Sequence, residues 1–330
     1  LWGETGHLQH TFYTQSERYV YCMNRTGLKV LMNVIPLKAF LINKMSYVFN
    51  YINKVDTFLD ERWSTILWLF KYNDRLIFTF GTSLVHFLSF LVINIFYMYV
   101  DYSGKPVWML KYKIKKDKHF PVKPSRFFWC CAVVLFNEIL SCVLIYLSYP
   151  IMKYTGMSCD QPVPQLWKLY LLFVAFGHFG YSAFHYFHRL MHHPSIYKYC
   201  HKMHHEWIAP ISIAAVYSHP IDHIVSNFIP YFIGPILLGS HLSITWWWII
   251  YAQATSSIHH SNYHLPFLSS PQYHNYHHVK FNQNYSEALL DDFHQTNSQF
   301  QKSTEAKRHR TFYGLTPIDI QYPGSTKAIR

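Results

Sequence analysis

Hydrophobic positions in this chain fall into long unbroken blocks, without the alternation of a half-buried strand. Leu76 to Val100 runs for 25 residues with no formal charge, more than the roughly 20 that carry a helix across a hydrocarbon core. Phe127 to Met152 is a second block, broken only by Asn137 and Glu138. Polar groups inside a span turn toward other helices because lipid cannot satisfy them, so both residues are expected at helix contacts. Leu166 to Phe184 is a third block, with Lys168 near its start and His178 inside it. Two shorter runs follow, Ile224 to Gly239 and Leu242 to Ile258, separated by Ser240 and His241, with Pro230, Gly234 and Pro235 interrupting the first. They predict a helical hairpin that goes in and comes back, leaving the segments before and after it on one side of a bilayer. The expected fold class is all-α, a multi-span integral membrane protein.

Residues 1–75 behave differently. They mix charges of both signs with one short apolar stretch, Trp63 to Phe70, and read as a peripheral segment ahead of a membrane-embedded domain over 76–330. The tail from Phe281 onward is polar, and Gly314, Pro317 and Pro323 mark turns in it.

Composition supports the membrane class. Half of the 330 residues are hydrophobic, 27 Tyr, 26 Phe and 10 Trp among them, and only 14% are charged, about half the share of a soluble domain. The net charge of +12 does not describe a nucleic-acid surface, because it gathers in one loop. Lys105 to Arg126 holds Lys111, Lys113, Lys115, Lys116, Lys118 and Lys123, whereas Lys153 to Gln165 has one Lys balanced by Asp160. Basic loops flanking spans stay in the cytosol, so the first loop is expected there and the second on the lumenal side. The 6 cysteines include no C-x-x-C pair, which predicts neither a disulfide framework nor a zinc ribbon.

Histidine is the candidate chemistry. Of 23 histidines, 16 lie between His185 and His278, most of them in boxes: His188, His192 and His193; His201, His204 and His205; His260 and His264; His274, His277 and His278. On a helix, positions i, i+3 and i+4 share a face, so each H-x-x-H-H box is expected to aim three imidazoles at one point. A single structural zinc takes four ligands, and this many donors fit two metals held at span ends. Spacing does not separate iron from zinc. His219-Pro220, with Asp222 and His223, is a candidate for an extra ligand or for hydrogen bonds that fix a ligand's tautomer, and Glu206 and Asp291 are candidates for orienting an imidazole. No catalytic residue beyond the metal ligands is indicated. His185, His241 and His259 read as neighbours of the boxes, and the isolated His7, His10, His86, His119, His178, His294 and His309 as packing, helix-end or surface residues. The readings from other classes are a membrane metal transporter, whose ligands belong inside the spans along a path, and a catalytically silent metal-binding scaffold.

These boxes resemble the fatty acid hydroxylase and sterol desaturase superfamily, whose members carry H-x(3,4)-H, H-x-x-H-H and a final H-x-x-H-H around a two-metal centre. The resemblance rests on His188-Arg189-Leu190-Met191-His192-His193-Pro194, His201-Lys202-Met203-His204-His205-Glu206-Trp207 and Tyr263-His264-Leu265-Pro266-Phe267-Leu268. The 4-methylsterol oxidases within the family also share an element like Ser218-His219-Pro220. The resemblance implies an oxygen-dependent monooxygenase of the endoplasmic reticulum membrane with its metal site facing the cytosol. It implies two iron ions, a lipid or sterol substrate, and electrons from NAD(P)H delivered by a reductase and a b-type cytochrome. Sterol 4-methyl oxidation is the leading activity, with fatty acyl or sphingoid hydroxylation and sterol desaturation as alternatives. The chain departs from the family where Asn262 and Ser286 replace glycine, and where Gln295-Thr296-Asn297 replaces Gly-Thr-Asp. Asn tolerates the left-handed backbone that glycine adopts freely.

Overall fold

A computed structural model of the chain describes residues 25–114, 120–286, 288–311, 316–317 and 320. Lys115, Lys116 and Lys118 of the basic loop, His7, His10, His119 and the expected turn residues Gly314 and Pro323 lie outside them. Among the described residues the fold is helical, and extended pairing is confined to two isolated bridges, Lys113 with Tyr263 and Ser158 with His241. The contacts divide the chain into two compact units, Leu1–Phe58 and Leu59–Arg330.

The division falls inside α1 (Arg25–Leu69), a helix of 45 residues. In the first unit α1 exposes large apolar side chains such as Met45 and Phe49. In the second unit its last turns belong to the core. Trp63 and Leu67 are buried, and the Trp63 indole donates to the Cys159 carbonyl at 2.8 Å.

Asn73 starts α2 (Asp74–Ser103) by accepting the Leu76 N–H on its side chain at 2.9 Å, and Asp74 complements the positive end of the helix. Pro124 fills the first turn of α3 (Pro124–Tyr154), where its missing N–H costs nothing. By length and composition α2 and α3 can each cross a membrane. The polar pair in α3 turns toward other elements, as expected. Asn137 donates to the carbonyls of Val216 and Ser218, both at 2.9 Å, and Glu138 lies 3.0 Å from His86 of α2.

The third apolar block becomes α4 (Leu166–Met191), which runs past the block to carry the first histidines. A short helix, α5 (Pro194–Cys200), follows. Next, Pro220–Asp222 passes through a π-helical turn, His223–Phe228, into α6 (Ile229–Leu237). Gly234 lets α6 lie directly on α4, since a Cβ there would meet the Phe176 backbone at 3.0 Å. The expected hairpin is formed by α6 and α7 (Leu242–His260), and its turn needs Gly239, whose φ is +53° and whose Cβ would strike the Thr155 carbonyl at 2.4 Å. The remaining elements are α8 (Gln272–Lys280), α9 (Ala288–Phe293), α10 (Ser298–Gln301) and α11 (Thr304–His309).

The described basic residues of the basic loop have different surroundings. Lys111 and Lys123 are exposed, but Lys113 is buried, its Nζ 2.9 Å from Asp101 and 4.1 Å from the centre of the Tyr263 ring. Backbone bonds explain the inward turn: Ile114 N–H donates to the Asn262 carbonyl at 2.9 Å and His264 N–H to the Tyr112 carbonyl at 2.8 Å. These clamp the loop to the turn after α7 and carry Lys113 inside.

Candidate metal centre

Four stretches of chain deliver imidazoles to one region. The last turn of α4 supplies His188, and His192 sits just beyond its end. A tight turn and one 3-10 turn supply His201, His204 and His205. His260 closes α7, and α8 supplies His274, His277 and His278. The rings form two clusters. His188, His192, His201, His205 and His277 bring their ligand nitrogens within 4.8 Å of one another, and so do His204, His260, His274 and His278. The clusters adjoin, with ring centroids 5.2 Å apart for His201 and His204 and 5.5 Å apart for His274 and His277.

Neither H-x-x-H-H box aims all three rings at one point. His201 and His205 enter the first cluster and His204 the second, whereas His274 and His278 enter the second and His277 the first. The helix period explains this for α8. At about 100° per residue, i+4 returns near the direction of i, while i+3 falls short on the other side. Each box therefore bridges two sites instead of filling one.

Hydrogen bonds at the outer ring nitrogens fix the inner ones. The Nδ1 atoms of His188 and His277 face the carbonyls of Tyr285 and Gln283. Those of His204 and His260 face the carbonyls of Tyr217 and Ser256, and that of His201 lies 2.8 Å from the Asp222 carboxylate. Carbonyls and carboxylates only accept, so these five Nδ1 atoms carry the proton, and the Nε2 of each neutral ring is a bare lone pair. Yet Nε2 of His188 and His201 lie 3.1 Å apart, and Nε2 of His204 and His260 3.3 Å apart. No hydrogen bond can join two bare lone pairs, and a cation between them can. The donor set therefore fits a metal ion in each cluster.

Extra protons are a poor substitute. Burial first, then the neighbouring histidines, hold the His204 pKa down at about 4. Burial likewise takes His277 to about 3. His205, His274 and His278 are pushed well below the usual imidazole range for the same reasons. Neutral imidazole is the form that ligates.

The other residues singled out in the sequence lie around the clusters. His193 is exposed and caps α5, its Nδ1 accepting the Ser195 N–H at 3.3 Å. His264 is turned away, bonded to the Ser270 hydroxyl at 2.9 Å and the Thr311 carbonyl at 3.3 Å. The structure thus brings neither into a cluster. His219 is a second cap, accepting from Ile221 N–H at 3.3 Å, and His223 pairs with the Ser141 hydroxyl at 2.8 Å. The Glu206 carboxylate accepts from the Tyr217 hydroxyl at 2.8 Å, not from an imidazole. Asp291 meets one imidazole, His185 at 3.8 Å, which is in neither cluster. It accepts from the Tyr273 hydroxyl at 3.1 Å and from the N–H groups of Tyr285 and Ser286 at 3.0 and 2.9 Å, so fixing the loop whose Tyr285 carbonyl faces His188. Asn262 and Gln295, at two of the positions where the family has glycine, have φ of +61° and +55°.

The carboxylate that orients a ligand is Asp222. Burial raises its pKa, but the charge and hydrogen bond of His201 outweigh that and hold it low. Substituting asparagine at Asp222 is expected to weaken metal binding in the first cluster about 10- to 100-fold, the usual effect of losing such a partner. Competition with a chelator measures this, and unchanged affinity would show that Asp222 does not set the His201 tautomer. The His-Pro pairs at His193 and His219 were a readable sign of capping, since proline favours the first helical position. Nothing in the sequence singled out Asp222 above its histidine neighbours.

A cavity of about 80 Å³ opens against the second cluster, reaching His260 and His274. Tyr181, Trp248 and Ala252 supply apolar wall, while Ser226 and Asn227 supply polar wall. Of the three consecutive tryptophans of α7, Trp248 lines this cavity, Trp246 is buried against Thr82, and Trp247 is exposed.

A family model described as fatty acid hydroxylase matches residues 170–296, which include both clusters. The chain is 34% identical over 331 residues to fatty acid hydroxylase domain-containing protein 2 of Macaca fascicularis, covering 99% of each chain. It is 32% identical over 75% of its length to a fatty acid hydroxylase of Mycosarcoma maydis, of which it covers 64%. It is 28% identical over 78% of its length to methylsterol monooxygenase 1 of Gallus gallus, of which it covers 92%. No solved structure matches the chain.

Proposed function

Because the chain belongs to the fatty acid hydroxylase family, we propose that it is a membrane monooxygenase holding one iron ion in each histidine cluster and oxidising a C–H bond of a lipid. The observation that carries this reading is the convergence of bare imidazole nitrogens beside an apolar cavity. Five donors in the first cluster exceed the four of a tetrahedral zinc site, which favours a metal of higher coordination number. Iron bound there would supply the oxygen-binding and redox chemistry that no side chain has.

The protein's own part is placement. Carbonyls and Asp222 hold the rings in the ligating tautomer before metal arrives. Tyr181, Trp248 and Ala252 give an apolar chain a dry approach to His260 and His274, so a reactive oxidant meets substrate instead of water. In our reading α2, α3, α4 and the α6–α7 hairpin embed in the endoplasmic reticulum membrane. The basic loop before α3 sits in the cytosol, and a b-type cytochrome with its NAD(P)H-dependent reductase supplies electrons there. Ligands gathered at helix ends speak against a transporter, which needs them along the spans.

Sterol 4-methyl oxidation is the first assignment, and similarity to the fungal fatty acid hydroxylase favours acyl hydroxylation as the second. Membranes containing the chain are expected to convert labelled 4-methylsterol or labelled acyl lipid, with oxygen taken from O2. His204→Ala and His277→Ala are each expected to abolish the product, and product formation at the native rate in both variants would remove the oxygenase assignment. Whichever lipid is converted decides between the two activities.

A further inference from the structure

Ser226 belongs to two features at once. It stands in the wall of the cavity that meets the second cluster, and its hydroxyl donates to the Asp222 carboxylate at 2.9 Å. The other oxygen of that carboxylate lies 2.8 Å from Nδ1 of His201, a ring of the first cluster. Ser226, Asp222 and His201 are 5%, 1% and 2% exposed, so the chain of bonds is shielded from water throughout. The cavity reaches the second cluster directly through His260 and His274. It reaches the first through the Ser226 hydroxyl, its polar route, and through the Phe184 ring, which stacks on His188 at 5.0 Å.

The direction of these bonds selects what the cavity can recognise. A serine hydroxyl has one hydrogen, and Asp222, an acceptor, takes it. Toward the cavity Ser226 therefore offers lone pairs and accepts. Its partner must be a donor, and in an apolar pocket a neutral hydroxyl costs far less to bury than a charged amine. Accepting that hydrogen bond polarises the serine O–H and strengthens its bond to Asp222. The carboxylate then has less charge to give the His201 N–H, which changes the basicity of the nitrogen facing the metal.

We propose that Ser226 is a positioning residue through which a hydroxyl-bearing lipid in the cavity alters the first metal site without touching it. The proposal rests on the two-metal reading above. Its probe is the full chain in detergent, loaded with cobalt(II), whose visible bands report ligand geometry, and titrated with lauryl alcohol or with lauryl methyl ether, which has the tail but no donor. The alcohol is expected to shift the cobalt band and the ether to leave it in place. Ser226→Ala is expected to lose the shift at alcohol concentrations that saturate the native chain, and Ser226→Thr, which keeps the hydroxyl, to restore it.

A native-sized shift in Ser226→Ala overturns the proposal, as does an ether effect equal to that of the alcohol. The second comparison uses the native chain and decides the matter even if the alanine variant does not fold. If the native chain binds about two cobalt ions and the alcohol leaves the band unmoved, this proposal alone fails. If it binds none, the metal-centre reading fails with it.

Discussion

Alanine at His204 and alanine at His205 are expected to damage different metal sites, although the two residues are neighbours in the chain. His204 faces the second cluster with His260, His274 and His278, and His205 faces the first. The pairs to compare are His204→Ala with His274→Ala, and His205→Ala with His277→Ala. Each double variant removes two donors from one cluster and none from the other, so each is expected to retain about one ion per chain where the native protein holds about two. Combining His204→Ala with His205→Ala takes one donor from each cluster and weakens both. Within a cluster the losses are not additive, because a site that has lost its ion cannot lose it again. Metal analysis after dialysis against a moderate chelator reads the outcome. If all three double variants retain the same metal content, the partition into two clusters is wrong.

Lys113→Met is expected to be the most destabilising change outside the clusters. It leaves the Asp101 carboxylate, 1% exposed, without its cation, and removing one partner of a buried pair costs about 3–5 kcal/mol. Tyr263 also donates to Asp101 at 2.9 Å, but a phenol cannot neutralise a charge. Adding Asp101→Asn to Lys113→Met is expected to recover part of the loss, since the uncompensated charge is then gone. The thermal midpoint of the detergent-solubilised chain measures both, and a single variant as stable as the native chain would show that the pair contributes nothing. Tyr263 lies three residues after His260, and the Lys113 loop is bonded to that turn. Lys113→Met is therefore expected to weaken metal binding in the second cluster as well.

The fate of individual residues shows how far a reading of the chain alone extends. Block lengths placed the main helices, because a helix with no polar side has only buried or lipid-facing surroundings to occupy. Asn137 and Glu138 are expected at helix contacts on the same ground: Glu138 meets His86 of α2, whereas Asn137 turns inward onto the carbonyls of Val216 and Ser218, outside the α-helices. Asn262 was assigned a backbone suited to glycine, and its φ is +61°. The burial of Lys113 is not legible in the sequence, because a lysine's surroundings depend on where its loop is clamped, and its partner Asp101 lies on α2.

The sequence by itself determined that the chain would be helical and apolar and would carry histidines at spacings suited to metal ligation, since both block length and box spacing are local properties of the chain. Tertiary structure decided which histidines gather in one cluster. That choice depends on how α4, α7, α8 and the 201–206 turn approach one another, and on a 100° step that sends adjacent side chains to different sites. Tertiary structure also supplied the acceptors that fix five of the nine clustered rings. All but Asp222 are backbone carbonyls, which every residue carries alike and no sequence can mark.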